Sequence, residues 1–425
     1  MVKNSIVCWR GSVPSKVLLN LLLSVKKNGL SPKNGLCPDL YAWFCTLNSS
    51  QIISYVLPSL DRVSEFEHFL QQMLELNHDP DSKTNLTEDF VEVQKELGFP
   101  ITNKETVVFV TRSKSRSVKL LSDFFTWDVT SAPTMWHILG TDLHFLRLIL
   151  ASDSRGDYAF HVNGNTYADP FNLNNGSRDG SSELQMEDYT DNEAYYKNPS
   201  VPQGWFEDHE VASRGLGRIT LRFYIPHGAR PTKQPLPHIY FFEGLSYIRY
   251  GKAQNVIDNG VHTKIIPPSI FVFVDVPQGN VRSHQPSTLR HKYVTTLRDD
   301  IIPFVESHYP STGHRAHVGK ATGALSSLWV AKDLSSFFTR IGVQSPDLVL
   351  DNSIMKELGQ GLDLGGARWY LTAGTYDAVC QPVEQLAALL QASNASVYTE
   401  FFNQGHSWGL WRATLLDLLG FLFFE

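Results

Sequence analysis

A tight turn in the C-terminal half of the chain has the glycine spacing of a turn that exposes an attacking side chain, but its central residue is alanine. His317–Ala324 passes from a predicted strand through a turn into a predicted helix, and Gly319 and Gly323 flank Ala321 in the pattern G-x-A-x-G. In G-x-S-x-G the small flanking residues permit a strained bend that exposes the attacking serine. Alanine has no attacking atom, so the pattern predicts a catalytic turn without its nucleophile.

An acid and a base follow this turn in a specific order. Asp377 comes shortly after the predicted strand Trp369–Thr372, and His406 comes shortly after the predicted strand Val397–Phe402. Nucleophile, acid and histidine follow one another in this order in α/β-hydrolases, where the carboxylate orients the imidazole. We therefore expect Ala321, in the nucleophile position, to meet Asp377 and His406 in triad geometry.

Backbone amides are the expected oxyanion donors. The loop after the predicted strand His238–Phe242 contains Gly244 and Leu245, and Thr322 directly follows the turn at Ala321. Donors of this kind stabilise the negative charge of a tetrahedral intermediate, and they do not depend on the serine. On sequence alone an ordinary β-turn explains Glu243-Gly244 better than an oxyanion loop does, so this alternative stays open.

Hydrophobic periodicity divides the chain into zones that position these residues. Residues 1–98 predict a helical N-terminal extension, and residues 99–165 predict a small antiparallel β-sandwich. Residues 166–207 predict a loop-rich linker, whereas residues 208–425 alternate strands and helices. Continuous apolar runs in the last zone indicate a parallel sheet covered by helices. The predicted fold class is therefore α/β, with an α/β-hydrolase domain at the C-terminal end.

Composition excludes several classes of protein. The net charge of −6 argues against nucleic acid as a partner, and no run approaches the roughly 20 apolar residues of a membrane span. The cysteines lie at scattered spacings that predict neither a metal site nor a disulfide framework; they are Cys8, Cys37, Cys45 and Cys380. We expect a cytoplasmic protein without a cofactor.

Further segments resemble the enterochelin (ferric enterobactin) esterase family. The most specific is Gly405–Arg412, GHSWGLWR, which is similar to the family pattern G-G-H-D/E-x-x-x-W-R. The other similar segments include Arg155–Phe160, Ala168–Asn172, Pro202–Trp205, Arg282–Gln285 and Val343–Ser345. The resemblance extends from about residue 100 to the C-terminus.

The resemblance implies an immunoglobulin-like β-sandwich before the α/β-hydrolase domain. It also implies hydrolysis of the ester bonds of a catecholate siderophore, so that iron is released. The partner would be a small-molecule ester such as a ferric siderophore. Arg282 and Trp408 are the residues that would meet this ligand.

Ala321 leaves three interpretations open. The chain is an esterase whose serine has been replaced, which would trap substrate, or a natural pseudo-esterase that binds or regulates. The third interpretation is a relative of carbohydrate-linked feruloyl or acetyl esterases, because Ser122–Asp128 resembles a loop of glycogen-binding modules. Without the serine, turnover should fall on the order of a millionfold.

Overall fold

The computed structural model describes residues 61–76, 79–125, 127–230, 234–277, 285–360 and 364–423, which form two compact units. The first unit comprises residues up to Arg116 together with Trp136–Ile149, and the second comprises Ser117–Met135 and Leu150–Glu425. Within the described part of the chain, helices are too short or too polar to cross a bilayer.

The first unit combines two helices with a small antiparallel sheet. Helices α1 (Arg62–Glu75) and α2 (Pro80–Leu97) begin at Asp61 and Asp79, whose side chains accept hydrogen bonds from first-turn amides. The strands are β1 (Ile101–Asn103), β2 (Thr106–Arg112), β4 (Trp136–His137) and β5 (Leu143–Ile149), and they lie in the order β1-β2-β5-β4. The apolar faces meet at Phe66, whose ring lies 5.2 Å from that of Phe145.

The second unit begins with another antiparallel sheet. Its central strand β6 (Arg155–Val162) pairs with three neighbours, which are β3 (Lys119–Ser122), β7 (Asn165–Tyr167) and β8 (Ser182–Gln185). The predicted sandwich of residues 99–165 therefore divides its strands between the two units. An immunoglobulin-like arrangement stays a prediction, as do the predicted domain bounds.

An eight-stranded sheet forms the centre of the second unit. Its strands are β9 (Trp205–Ser213), β10 (Gly217–Ile225), β11 (Leu236–Phe242), β12 (Ile270–Asp275), β13 (Ser311–Lys320), β14 (Arg340–Gln344), β15 (Arg368–Gly374) and β16 (Ser396–Phe402). They lie in the order β16-β15-β14-β13-β11-β12-β10-β9. Strands β9 and β10 are antiparallel to their neighbours, whereas β11 to β16 run parallel to one another. The predicted mixed α/β fold is confirmed.

Helices lie along this sheet. They are α3 (Gly244–Arg249), α4 (Ala253–His262), α5 (Pro286–Thr296), α6 (Ile302–His308), α7 (Thr322–Asp333), α8 (Ser353–Gly359), α9 (Cys380–Ala392), α10 (Trp408–Ala413) and α11 (Leu415–Phe423). A π-helical turn, Leu297–Ile301, connects α5 to α6. Two buried apolar clusters form, and the run Ile270–Val274 of β12 alternates between them. Burial on both faces explains why this strand reads as a continuous apolar run.

Two strands of this sheet were not predicted from the pattern of apolar residues. The stretch Arg340–Gln344, RIGVQ, is short and contains a charge and a glycine, yet it forms β14 between β13 and β15. Strand β9 begins at Trp205, inside the predicted linker, because an alternation of polar residues left no apolar run there. Both strands owe their place to pairing with neighbours, which a local pattern does not report.

Candidate active site

Ala321 lies in a strained turn between β13 and α7. Its backbone angles are φ 50° and ψ −121°, a conformation that residues other than glycine rarely adopt. A Cβ atom at Gly319 would lie 2.0 Å from the carbonyl oxygen of Gly323, so the turn closes only with glycine at position 319. Positive φ and close glycine packing are features of a nucleophile elbow, and the nucleophile position of Ala321 stays a prediction.

A buried hydrogen-bond chain supports the elbow from below. Ser327 of α7 donates to the carbonyl of Gly323 at 3.3 Å and lies 2.8 Å from Nδ1 of His317 on β13. Nε2 of His317 lies 2.8 Å from the hydroxyl of Tyr293 on α5. Since Ser327 uses its proton on Gly323, Nδ1 donates to Ser327 and Nε2 accepts from Tyr293. Burial lowers the pKa of His317 to about 3, so the ring is neutral.

His406 and Asp377 meet at the carboxyl end of the parallel strands. Asp377 follows β15 and His406 follows β16, and Oδ2 of Asp377 lies 2.7 Å from Nδ1 of His406. The Asp377 side chain is 5% exposed and the His406 side chain 37% exposed, so the predicted base is more accessible than the predicted acid. Carboxyl ends of parallel strands share one edge of a sheet, which brings residues 29 positions apart together.

In the loop after β11, the backbone amide of Leu245 already has a hydrogen-bond acceptor. The backbone amide of Leu245 donates to Asp275 at the end of β12, at 2.9 Å from Oδ1. The amide proton is already given to a carboxylate, so the prediction that Leu245 is an oxyanion donor conflicts with this hydrogen bond. Gly244 begins α3 in close contact with β12, where an added Cβ would lie 2.3 Å from Cβ of Phe273. Gly244 and Thr322 remain as the predicted donors.

An ion pair that the sequence pattern did not predict joins the two loops. The ammonium group of Lys320, directly before Ala321, contacts the carboxylate of Glu243, directly before Gly244. Its nitrogen also lies 5.5 Å from the ring centre of Trp408 and 5.6 Å from that of Trp411. Lys320 therefore ties the elbow to the predicted oxyanion loop beneath two indole rings.

A cavity of about 350 Å³ opens beside His406. Its lining residues are Ser177, Arg178, Asp179, Tyr250, His406, Ser407, Trp408 and Trp411. The Trp408 ring lies 6.0 Å from that of Tyr250 and nearly parallel to it, whereas the Trp411 ring lies 5.0 Å from that of His406 and nearly perpendicular to it. Aromatic walls of this kind suit a planar, apolar ligand group.

The structure describes one of the two residues predicted to contact the ligand, Trp408, but not the other, Arg282. Trp408 lines the cavity beside His406, and its role in ligand binding stays a prediction. Arg282 lies outside the described residues, so its role stays a prediction. Arg412, a further arginine near the predicted site, approaches Glu183 at 3.3 Å and covers the ring of Tyr195. Within the described part of the chain, acidic, cysteine and histidine side chains form no group suited to a metal ion.

A buried ion cluster lies behind the His406 loop. Arg155 on β6 is fully buried and contacts the carboxylates of Asp157 at 2.6 Å, Glu183, and Asp123 at 3.8 Å. Burial would lower the pKa of Arg155, but these three charges outweigh it and raise that pKa. Burial and the neighbouring Asp157 raise the pKa of Asp123. Such a cluster is stable only while its members stay together.

This cluster fixes the loop that carries His406. Nη1 of Arg155 donates to the Ser407 hydroxyl at 3.3 Å, and the Arg155 amide donates to the carbonyl of Asn403 at 3.0 Å. A Cβ at Gly409 would lie 2.0 Å from Nη1 of Arg155, and one at Gly405 would lie 2.5 Å from Cβ of Asp123. The glycines of the GHSWG segment thus permit close packing on the sheet that contains β6.

A family model matches the part of the chain that contains most of this site. Residues 215–422 match the family model Esterase, described as "Putative esterase". The matched region, which is slightly less than half of the chain, is similar to this esterase family. It contains Ala321, Asp377 and His406, the three residues predicted to share a triad. A comparison with curated proteins finds no match.

Solved structures support the same fold. The enterobactin esterase from Shigella flexneri, determined in the presence of enterobactin, has a TM-score of 0.61 at 20% identity and covers 75% of this chain and 92% of its own. The ferric enterobactin esterase from Salmonella typhimurium has a TM-score of 0.63 at 19% identity, with coverages of 79% and 98%. At this identity the likeness shows a shared fold, which extends beyond the region that the family model matches.

Proposed function

We propose that this esterase-like chain binds an ester of an aromatic acid, such as a catecholate siderophore, without turning it over. The observation that carries the proposal is the hydrogen-bonded pair of His406 and Asp377 beside an elbow whose central residue is Ala321. Base, acid and strained turn are all present, whereas the atom that would form an acyl-enzyme is missing. Binding does not require that atom.

The aromatic cavity supports the ligand class. Trp408, Trp411 and Tyr250 surround the space next to His406, and Lys320 lies under the two indoles. The matched Shigella enzyme was solved with enterobactin, an ester of this chemical class. A ligand whose aromatic ring packs against these side chains would lie next to His406.

Binding is tested on the full chain by tryptophan fluorescence during titration with enterobactin, with and without ferric iron. We expect saturable quenching that Trp408→Leu abolishes. Trp136→Leu is the matched control, because this indole is 70% exposed and belongs to the other compact unit. Absence of saturable quenching in the parent chain contradicts the proposed ligand.

Turnover is tested by product analysis with the same ester and with simple aryl esters. We expect no product from the parent chain and measurable product from Ala321→Ser. Activity in Ala321→Ser identifies an active site that lacks only its nucleophile. Inactivity of that variant, with binding intact, identifies a site that has diverged further toward binding or regulation. Equal turnover by both proteins refutes the proposal.

The carbohydrate-linked alternative finds less support in the packing. The Phe124 ring meets Tyr376 edge-on at 5.2 Å, and an added Cβ at Gly156 would lie 2.5 Å from the Phe124 ring. Trp127 donates its indole proton to Asp123 at 2.8 Å and lies beneath Arg178. Aromatic side chains engaged in this way do not form the open platform on which a sugar stacks.

A further inference from the structure

Each ring nitrogen of His406 has a carboxylate nearby. Asp377 lies 2.7 Å from Nδ1, which is the expected acid–base contact. Asp347 lies with Oδ1 at 3.9 Å from Nε2, the nitrogen that would face a nucleophile. Asp347 follows β14, the strand that the sequence pattern does not reveal, and it is absent from the predicted triad.

Asp347 is held by the helix that starts at the elbow. Its Oδ2 accepts a hydrogen bond of 2.7 Å from the hydroxyl of Thr322, and its amide donates to the carbonyl of Ala321 at 3.2 Å. The side chain therefore lies at the N-terminal end of α7, where the helix dipole favours a negative charge. One carboxylate oxygen is anchored on the helix, and the other faces Nε2 of His406.

The charges around His406 come from three strands of the sheet. Asp377 and Asp347 follow β15 and β14, and Lys320, paired with Glu243, ends β13. Burial of the ring lowers the pKa of His406, but the hydrogen bond and charge of Asp377, together with the charge of Asp347, outweigh burial and the opposing Lys320. The net effect raises the pKa of His406.

We propose that Asp347 is a positioning residue that favours the imidazolium form of His406 over the neutral form. A triad histidine must present an unprotonated Nε2 to take a proton from its nucleophile. A carboxylate facing Nε2 opposes that state, so the site donates a hydrogen bond to its ligand rather than accepting a proton. The inference rests on the proposed site, but it requires neither the proposed ligand nor turnover.

The test is an NMR titration of the histidine-labelled full chain, in which His406 is assigned by its loss in His406→Gln. Asp347→Asn keeps an oxygen that accepts from Thr322, so the elbow is preserved. We expect this variant to lower the titration midpoint of His406 by about one pH unit. Asp179→Asn is the matched control, since Asp179 lines the same cavity at 77% side-chain exposure and should leave the midpoint unchanged. An unchanged midpoint in Asp347→Asn overturns the inference.

A second measurement separates this inference from the proposed function. In the Ala321→Ser background, Asp347→Asn should move the lower limb of the kcat/KM profile to a lower pH by the same interval and leave KM nearly unchanged. If the parent chain does not bind the ligand, the proposed function is contradicted. The effect of Asp347 on the titration of His406 is not affected by that result. If the lower limb of the kcat/KM profile lies at the same pH in Ala321→Ser with and without Asp347→Asn, the proposed role of Asp347 is contradicted.

Discussion

Nδ1 of His406 lies 2.7 Å from Oδ2 of Asp377, although Ala321 has no proton for this pair to take. Val379 donates its amide to the other oxygen of Asp377 at 3.1 Å, so the carboxylate is oriented from both sides. The fold therefore assembles the predicted acid–base pair without a nucleophile.

The first prediction concerns this acid. In the Ala321→Ser background, Asp377→Asn should reduce kcat on the order of 10³- to 10⁴-fold, because an amide neither fixes the tautomer nor stabilises the imidazolium. KM should change little. The measurement is steady-state hydrolysis of an aryl ester, with Asp299→Asn in the same background as control, because this carboxylate is exposed and lies outside the cavity. A loss below tenfold would show that Asp377 does not orient the base.

A second prediction concerns the close packing of Gly409 on Arg155. Gly409→Ala should lower the free energy of unfolding by about 3 kcal/mol, because the added methyl overlaps a buried guanidinium that cannot withdraw. Gly215→Ala is the control, since its added Cβ lies 3.3 Å from the nearest atom, the Thr296 hydroxyl. Urea denaturation measures both. Equal stability of the two variants contradicts the packing argument.

A third prediction concerns the ion cluster itself. Arg155→Met should destabilise the second unit by about 3–5 kcal/mol, because three carboxylates lose their shared buried partner. Arg218→Met serves as control, because its pair with Glu210 has side chains 75% and 56% exposed and contributes little. The pair is compared by thermal unfolding monitored by near-UV circular dichroism. Equal melting temperatures of Arg155→Met and Arg218→Met would refute the prediction.

A fourth prediction concerns pH and the buried His238 on β11. Neither of its ring nitrogens has a hydrogen-bond partner among the described residues, and burial with the charge of Arg315 lowers its pKa to about 4. The unfolded chain takes up this proton below a pH of about 6.5, whereas the folded chain does so only near 4. Stability present above pH 6.5 is therefore lost as the pH falls, by about 1.4 kcal/mol per unit.

His238→Phe removes both the unpaired nitrogens and this proton. The variant should be more stable than the parent at pH 7, with a gain that grows by about 2 kcal/mol at pH 5. His317 titrates in the same sense in both proteins, so the difference isolates His238. Denaturation at both pH values is compared with His291→Phe, an exposed position on α5. A gain that does not depend on pH would contradict the linkage.

The sequence by itself determined the order of the site and the elements that carry it. Glycine spacing around Ala321, together with Asp377 and His406 after apolar strands, predicted the elbow and the acid–base pair. These signals are local: a strained turn needs small residues, and buried parallel strands need continuous apolar runs. The mixed α/β fold followed from the same periodicity.

The tertiary structure alone decided which charges share the site. Asp347 reaches His406 because the short strand β14 pairs beside β13, and Leu245 gives its amide to Asp275 because two strand ends adjoin. Lys320 pairs with Glu243 across 77 positions for the same reason. Contacts between distant segments follow from sheet order and burial, which no local pattern of residues contains.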